Sequence, residues 1–308
     1  MPAFVLDDPT PPDPRRRWDS LDFAARGACY DNNAGVPDSA AQVAARNAAS
    51  AVYRAAHPAG LDIPYAAGER TAFDLYPAAD AQAPCLVFVH GGYWQRNARA
   101  DFACFAEGMN AAGWSVAMPG YTLAPEARLA GIVAEIGAAL DWLADHGAAR
   151  GIGGPIVLAG WSAGAQLAAL HLGHAAVSAV LAISGVYDLA PIRETYLNEK
   201  LGLSDVEIET LSPLRLPVTP KPMTVAYGSR ELPALVRDAR NLHALRSAAH
   251  APGALLPVPG ADHFSILDGF RRPEGLLVRA AQDLLGGCLL YTSPSPRDRT
   301  RSRMPSSA

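Results

Sequence analysis

The sequence predicts an α/β fold: a doubly wound, mostly parallel sheet with helices on both faces. Three observations carry this. Short apolar runs alternate with segments at helical spacing from residue 85 to residue 285. The run at 85–90, CLVFVH, is apolar without alternation, as a strand covered on both faces must be. At 155–170, β-formers pass through Gly-Trp-Ser-Ala-Gly into an Ala/Leu-rich segment, so a strand, a tight turn and a helix follow one another.

The elements follow in order. Residues 1–17 are proline-rich and polar, and are expected to form a flexible arm before a single domain over 18–287. An alanine-rich helix is predicted over 37–57, with Asp38 or Ser39 as its N-cap and Val43, Ala44, Asn47, Ala51 and Arg54 on its inner face. Residues 61–65 and 70–76 read as a hairpin joined across Ala-Ala-Gly. The strand at 85–90 precedes a helix over 101–112 and a strand at 115–118. Over 126–146, Leu129, Ile132, Val133, Ile136, Leu140 and Leu143 recur at three- and four-residue steps, which predicts an amphipathic helix. Strands are expected at 156–159, 177–183, 223–227 and 254–258, and helices at 163–172, 233–248 and 264–285. Residues 191–220 are punctuated by proline and carry no strand signal. The N-terminal helix and the 189–217 insertion stand outside the alternation. Both are expected to form a small helical cap over the C-terminal edge of the sheet, where such folds bind ligands.

Composition excludes several classes of function. Half of the 308 residues are apolar and the net charge is −4, with basic runs only at the two ends, which argues against nucleic-acid binding. Cys29, Cys85, Cys104 and Cys288 form no C-x-x-C pair, as expected in a reducing compartment. No apolar run is long enough to span a membrane, so the expectation is a cytoplasmic protein. Residues 288–308 resemble a translated sequencing adapter, with CLLYTSPSPRD followed by SRMPSSA, and are set aside as disordered sequence foreign to the fold.

The strand–turn–helix at 155–170 places Ser162 where a nucleophile is needed. The flanking glycines let strand and helix approach closely. The serine also sits at a helix N-terminus, where backbone N–H groups face incoming negative charge. A serine nucleophile needs a base, a group that orients the base, and donors for an oxyanion. His263 lies in a loop between the last strand and the last helix, at the same sheet edge. Glu231 is the first carboxylate after the preceding strand, and Asp188, after the strand at 177–183, competes with it. Asp262 adjoins the histidine in sequence and is poorly placed to reach its Nδ1. Gly91 and Gly92 follow a central strand and can supply one oxyanion donor, and the N–H of Ala163 the other. His90 is read as ordering that loop. Tyr93, Trp94 and Trp161 would supply aromatic surface for the substrate. Arg96 is the basic residue close in sequence to Tyr93 and Trp94. His171 and His174 form H-x-x-H without a third ligand, so no metal site is expected.

HGGYW at 90–94, YTLAPEA at 121–127, GWSAGAQLAA at 160–169, SGVYDLAPI at 184–192, GSRELP at 228–233 and GADHF at 260–264 together resemble one family. It is the arylformamidase-like (kynurenine formamidase) branch of the hormone-sensitive-lipase-type α/β-hydrolases. YDNNAGVPDS at 30–39 is similar to that branch's N-terminal segment, so the likeness runs from about residue 30 to 285. HGG followed by Tyr-Trp, in place of a further glycine, is its most specific element. The resemblance implies Ser162 as nucleophile, Glu231 as acid, His263 as base and an oxyanion hole from Gly91, Gly92 and Ala163. Trp161 and Gln166 stand where the branch commonly has histidine. The reading is a metal- and cofactor-independent serine hydrolase acting on a small molecule, favouring an aryl formamide such as N-formylkynurenine. A short-chain carboxylesterase is the alternative, and a non-catalytic ligand-binding protein the rival from another class.

Overall fold

In the computed structural model, which describes residues 18–286, the apolar runs become eight strands. These are β1 Ile63–Pro64, β2 Ala72–Tyr76, β3 Cys85–Val89, β4 Ser115–Pro119, β5 Ile156–Trp161, β6 Val177–Ile183, β7 Met223–Gly228 and β8 Leu255–Val258. They form one sheet in the order β1-β2-β4-β3-β5-β6-β7-β8. β1 and β2 pair antiparallel as the predicted hairpin, β2 runs antiparallel to β4, and the remaining pairs are parallel. The reading of residues 1–17 as a flexible arm and of 288–308 as foreign tail lies outside the described residues.

Alternate residues of the central strands serve two different cores, which is why their sequence shows no alternation. Val87, Val89, Leu158 and Val180 face one core, and Leu86, Phe88, Val157 and Leu181 face the other. The first core is covered by Ile132, Ile136, Leu140 and Leu143 and by Leu235 and Leu242; the second by Phe102, Met109, Leu277 and Ala281.

The helices are α1 Phe23–Ala28, α2 Asn32–Gly35, α3 Ser39–Ala56, α4 Ala106–Ala111, α5 Leu129–His146, α6 Ala163–Leu170, α7 Ala190–Arg193, α8 Asn198–Leu201, α9 Asp205–Leu211, α10 Pro233–Ala248 and α11 Leu276–Gly286. Several expectations need correction. α3 does not bury the predicted face: Ala44, Asn47 and Ala51 are exposed, while Ser39 and Ser50 are buried. The helix lies on the 3₁₀ segment Arg99–Phe105 through a polar seam, in which Ser50 Oγ donates to Asp101 O at 2.8 Å and accepts from Cys104 N at 3.2 Å. Apolar periodicity cannot report such a contact. That 3₁₀ segment also replaces the first part of the helix predicted over 101–112. The last predicted helix is two pieces, a 3₁₀ turn Ser265–Phe270 and α11, because Pro273 interrupts it by removing an N–H and restricting Arg272.

The insertion holds no strand and forms short helices, in keeping with the expected helical cap. α9 opens with a capping box: Glu207 N donates to Ser204 Oγ at 3.2 Å, and Ser204 N donates to Glu207 Oε2 at 3.0 Å. Trp18 and Arg26 reach Glu194 of the insertion at 3.0 and 2.6 Å, so the N-terminal segment and the insertion join as one cap. Among the described residues no helix is long and apolar enough to cross a membrane.

Candidate active site

The turn between β5 and α6 holds Ser162 at φ 57° and ψ −122°, a conformation costly for any residue with a Cβ. The neighbouring chain makes it possible. A Cβ on Gly160 would meet Gly164 O at 2.0 Å, and one on Gly164 would meet Val89 O at 2.1 Å, so both positions exclude any side chain. The serine N–H donates to Ile183 O at 2.8 Å, which fastens the turn to β6.

Three loops at this sheet edge bring the remaining residues together. His263, beyond β8, places Nε2 3.2 Å from Ser162 Oγ and Nδ1 3.3 Å from Glu231 Oε2. With the carboxylate as acceptor, the ring proton sits on Nδ1 and the Nε2 lone pair faces the hydroxyl. Trp161 Nε1 donates to His263 O at 2.8 Å, and the two rings lie 4.7 Å apart. Glu231, beyond β7, is itself oriented: its Oε1 accepts from Gly228 N at 2.8 Å and from the Ser184 hydroxyl. Ser162, Glu231 and His263 are all buried. Asp188 is turned elsewhere, accepting from Arg215 Nε at 3.0 Å and from Ala190 N at 3.1 Å. Asp262 caps the turn behind the histidine. Burial would raise its carboxyl, but bonds from Ser265, Gln42 and Phe264 hold it below the ordinary value.

The His90-Gly91-Gly92 loop lies against the serine. A Cβ on Gly91 would meet Trp161 O at 2.5 Å and Ser162 Cβ at 2.7 Å. His90 is stacked between Phe102 and Tyr121, and its Nδ1 donates to Gly91 O at 2.9 Å. Burial pulls its pKa down to about 3, against that hydrogen bond, so the ring is a neutral brace for the loop. Gly92, Tyr93 and Trp94 all have positive φ. Side-chain bonds hold this strained run: Tyr93 OH donates to Tyr30 O at 2.7 Å, and Trp94 Nε1 donates to Gln166 Oε1 at 3.1 Å. Gln166 continues to Leu211 O of the cap at 2.7 Å. Ala163 is the first residue of α6, where the N–H has no intrahelical acceptor.

A cleft of about 200 Å³ opens at Ser162 and His263. Tyr93 and Trp161 line it. Trp94 does not; it is fully buried and anchors the loop from behind. Sequence reasoning missed Tyr30, Arg46 and Tyr196, which reach the cleft from the two parts of the cap. Among the described residues no group of three or more His, Cys, Asp or Glu side chains could hold a metal ion. His171 bonds Leu167 O, and His174 bonds Asp141.

Comparison with known proteins agrees with this architecture. A family described as the alpha/beta hydrolase fold matches residues 86–262. The kynurenine formamidase of Salmo salar is 27% identical, covering 68% of this chain and 76% of its own length. That of Danio rerio is 26% identical, covering 73% and 82%. A solved structure from Silicibacter sp. tm1040, described as a candidate thioesterase, is 31% identical with a TM-score of 0.74, covering 83% of this chain and 98% of its own. The chain belongs to the α/β-hydrolase fold family, and within it is similar to these kynurenine formamidases.

Proposed function

We propose that the chain is a metal-independent serine hydrolase that removes a small acyl group, with an aryl formamide such as N-formylkynurenine as its favoured substrate. The observation that carries this is the relay from Glu231 through His263 to Ser162, with contacts of 3.3 and 3.2 Å. Ser162 Oγ attacks the acyl carbon while His263 Nε2 takes its proton. Glu231 holds the ring and offsets the imidazolium charge. The amides of Gly91 or Gly92 and of Ala163 receive the tetrahedral oxyanion. His263 then hands its proton to the departing amine, leaving an acyl-serine. A water molecule, deprotonated by the same histidine, attacks the acyl-serine, and the carboxylic acid leaves as the serine regains its proton.

Two further facts support the formamide. The fish relatives are kynurenine formamidases. The acyl side of a formamide is only a hydrogen, which suits a site narrowed by Tyr93 and Trp161. The test is a side-by-side assay of N-formylkynurenine with acetyl, butyryl and octanoyl p-nitrophenyl esters. N-formylkynurenine should be hydrolysed and kcat/KM should fall steadily along the ester series, each tolerated methylene being worth only about 1–3 kcal/mol. EDTA should leave every rate unchanged. An optimum at octanoyl without formamidase activity would replace this reading by a general carboxylesterase. Loss of turnover on EDTA, restored by zinc, would overturn the metal-independent mechanism.

A further inference from the structure

Apart from His263, the basic side chains lining the Ser162 cleft are Arg46 and Arg96. Of the described arginines eight meet a carboxylate, and Arg46 and Arg96 are among those that form no ion pair. Arg46 projects from α3, its guanidinium carbon 4.1 Å from the centre of the Phe102 ring. Its Nε and Nη2 donate to Asn47 Oδ1 at 3.0 and 2.8 Å, which leaves Nη1 without a protein acceptor among the described residues. Burial lowers its pKa against the attraction of Asp101, whose Oδ2 is taken up by Ala98 N at 2.8 Å. Arg96 is exposed and hydrogen-bonded to Tyr196 at the mouth of the cleft. The one carboxylate lining the same cleft, Asp31, accepts from Ala34 N at 3.1 Å as the cap of α2. The wall therefore carries two guanidiniums against one carboxylate.

A partly desolvated charge is costly unless it is paired. Arginines left unpaired on the wall of a cleft mark a place where a ligand supplies the counter-charge, and the guanidinium fork matches a carboxylate. The acyl part is small, so most of the cleft remains for the leaving group. We infer that Arg46 and Arg96 receive a carboxylate carried on the leaving group, so that the enzyme selects anionic aryl substrates over neutral ones. The inference rests on the serine-hydrolase reading above.

The test uses matched substrates that differ only in charge: 3-formamidobenzoate against formanilide, and 3-acetoxybenzoate against phenyl acetate. The anionic member should lead by about tenfold or more in kcat/KM, the value of one charge-assisted hydrogen bond, with the difference in KM. Added salt should erode the lead, because the Arg96 guanidinium is exposed. Arg96→Gln and Arg46→Gln should each lower the ratio, and Arg46→Lys should restore part of it. A ratio near one in the wild type, or one unchanged in both glutamine variants, would overturn the inference. Calorimetry on Ser162→Ala with benzoate and benzamide reads the same selectivity without turnover. Benzoate should bind about tenfold tighter, and equal affinities would count against the inference. Failure of the serine mechanism shows separately, as phenyl acetate hydrolysis that survives Ser162→Ala.

Discussion

At the residue scale the site is a chain of orienting bonds. Glu231 is held by Gly228 N and by the Ser184 hydroxyl, and it faces the His263 Nδ1. A carboxylate fixed on one side can set the ring only if it stays charged and in place. Ser162→Ala and His263→Ala should each lower kcat on the order of 10⁴- to 10⁶-fold, and the double variant should lose little more, because the residues act as one unit. Glu231→Gln should be severe and Asp188→Asn mild, since the Asp188 carboxylate is bound to Arg215 and Ala190 N. Steady-state kinetics checks the ranking, and the reverse order would move the acid to Asp188. The sequence left that choice open because both carboxylates follow a parallel strand. Distance along the chain does not say which one turns toward the histidine.

At the element scale the strained loops are set by backbone contacts. Gly91 packs on Trp161 O and Ser162 Cβ, and neither can retreat, since both belong to the β5–α6 turn. Gly91→Ala should therefore cost about 1–3 kcal/mol of stability, as overpacking does, and should lower kcat by displacing the amide beside the serine. Thermal melting and kinetics together check this, and a variant equal to wild type in both would show that the loop gives way. Trp94 shows the limit of reading such a loop from its letters. Next to Tyr93 in sequence, it points instead into the core and bonds Gln166. Adjacent side chains leave the backbone in different directions, so neighbours in sequence need not line the same cleft.

At the scale of the whole molecule the elements are tied across the sheet edge. Asp238 on α10 is buried and accepts from Tyr187 N at 3.0 Å, which links that helix to the start of the insertion. Burial raises its pKa from the ordinary 3.8 to about 6, against the pull of Arg237 and of the Tyr187 and Asp188 N–H groups. With the folded pKa raised, this group's contribution to stability is complete below pH 3.8 and is lost as pH rises through about 6. Asp238→Asn cannot ionise, so its melting temperature relative to wild type should rise between about pH 4 and about pH 7. A difference that stays flat with pH would show that Asp238 remains charged when folded.

The sequence by itself determined the sheet and the tight turn that holds Ser162, because each is written in local chemistry. Continuous apolar runs make strands covered on both faces, and glycines two residues either side of Ser162 make the turn. The tertiary structure alone decided which carboxylate faces His263, where Trp94 points and what lines the cleft. Glu231 meets His263 through the approach of two loops, and Arg46 reaches the cleft from a helix whose polar seam carries no periodic signal. Those residues act through contacts between segments far apart in the chain. The pairing of the strands and the packing of the cap on the sheet edge set such contacts.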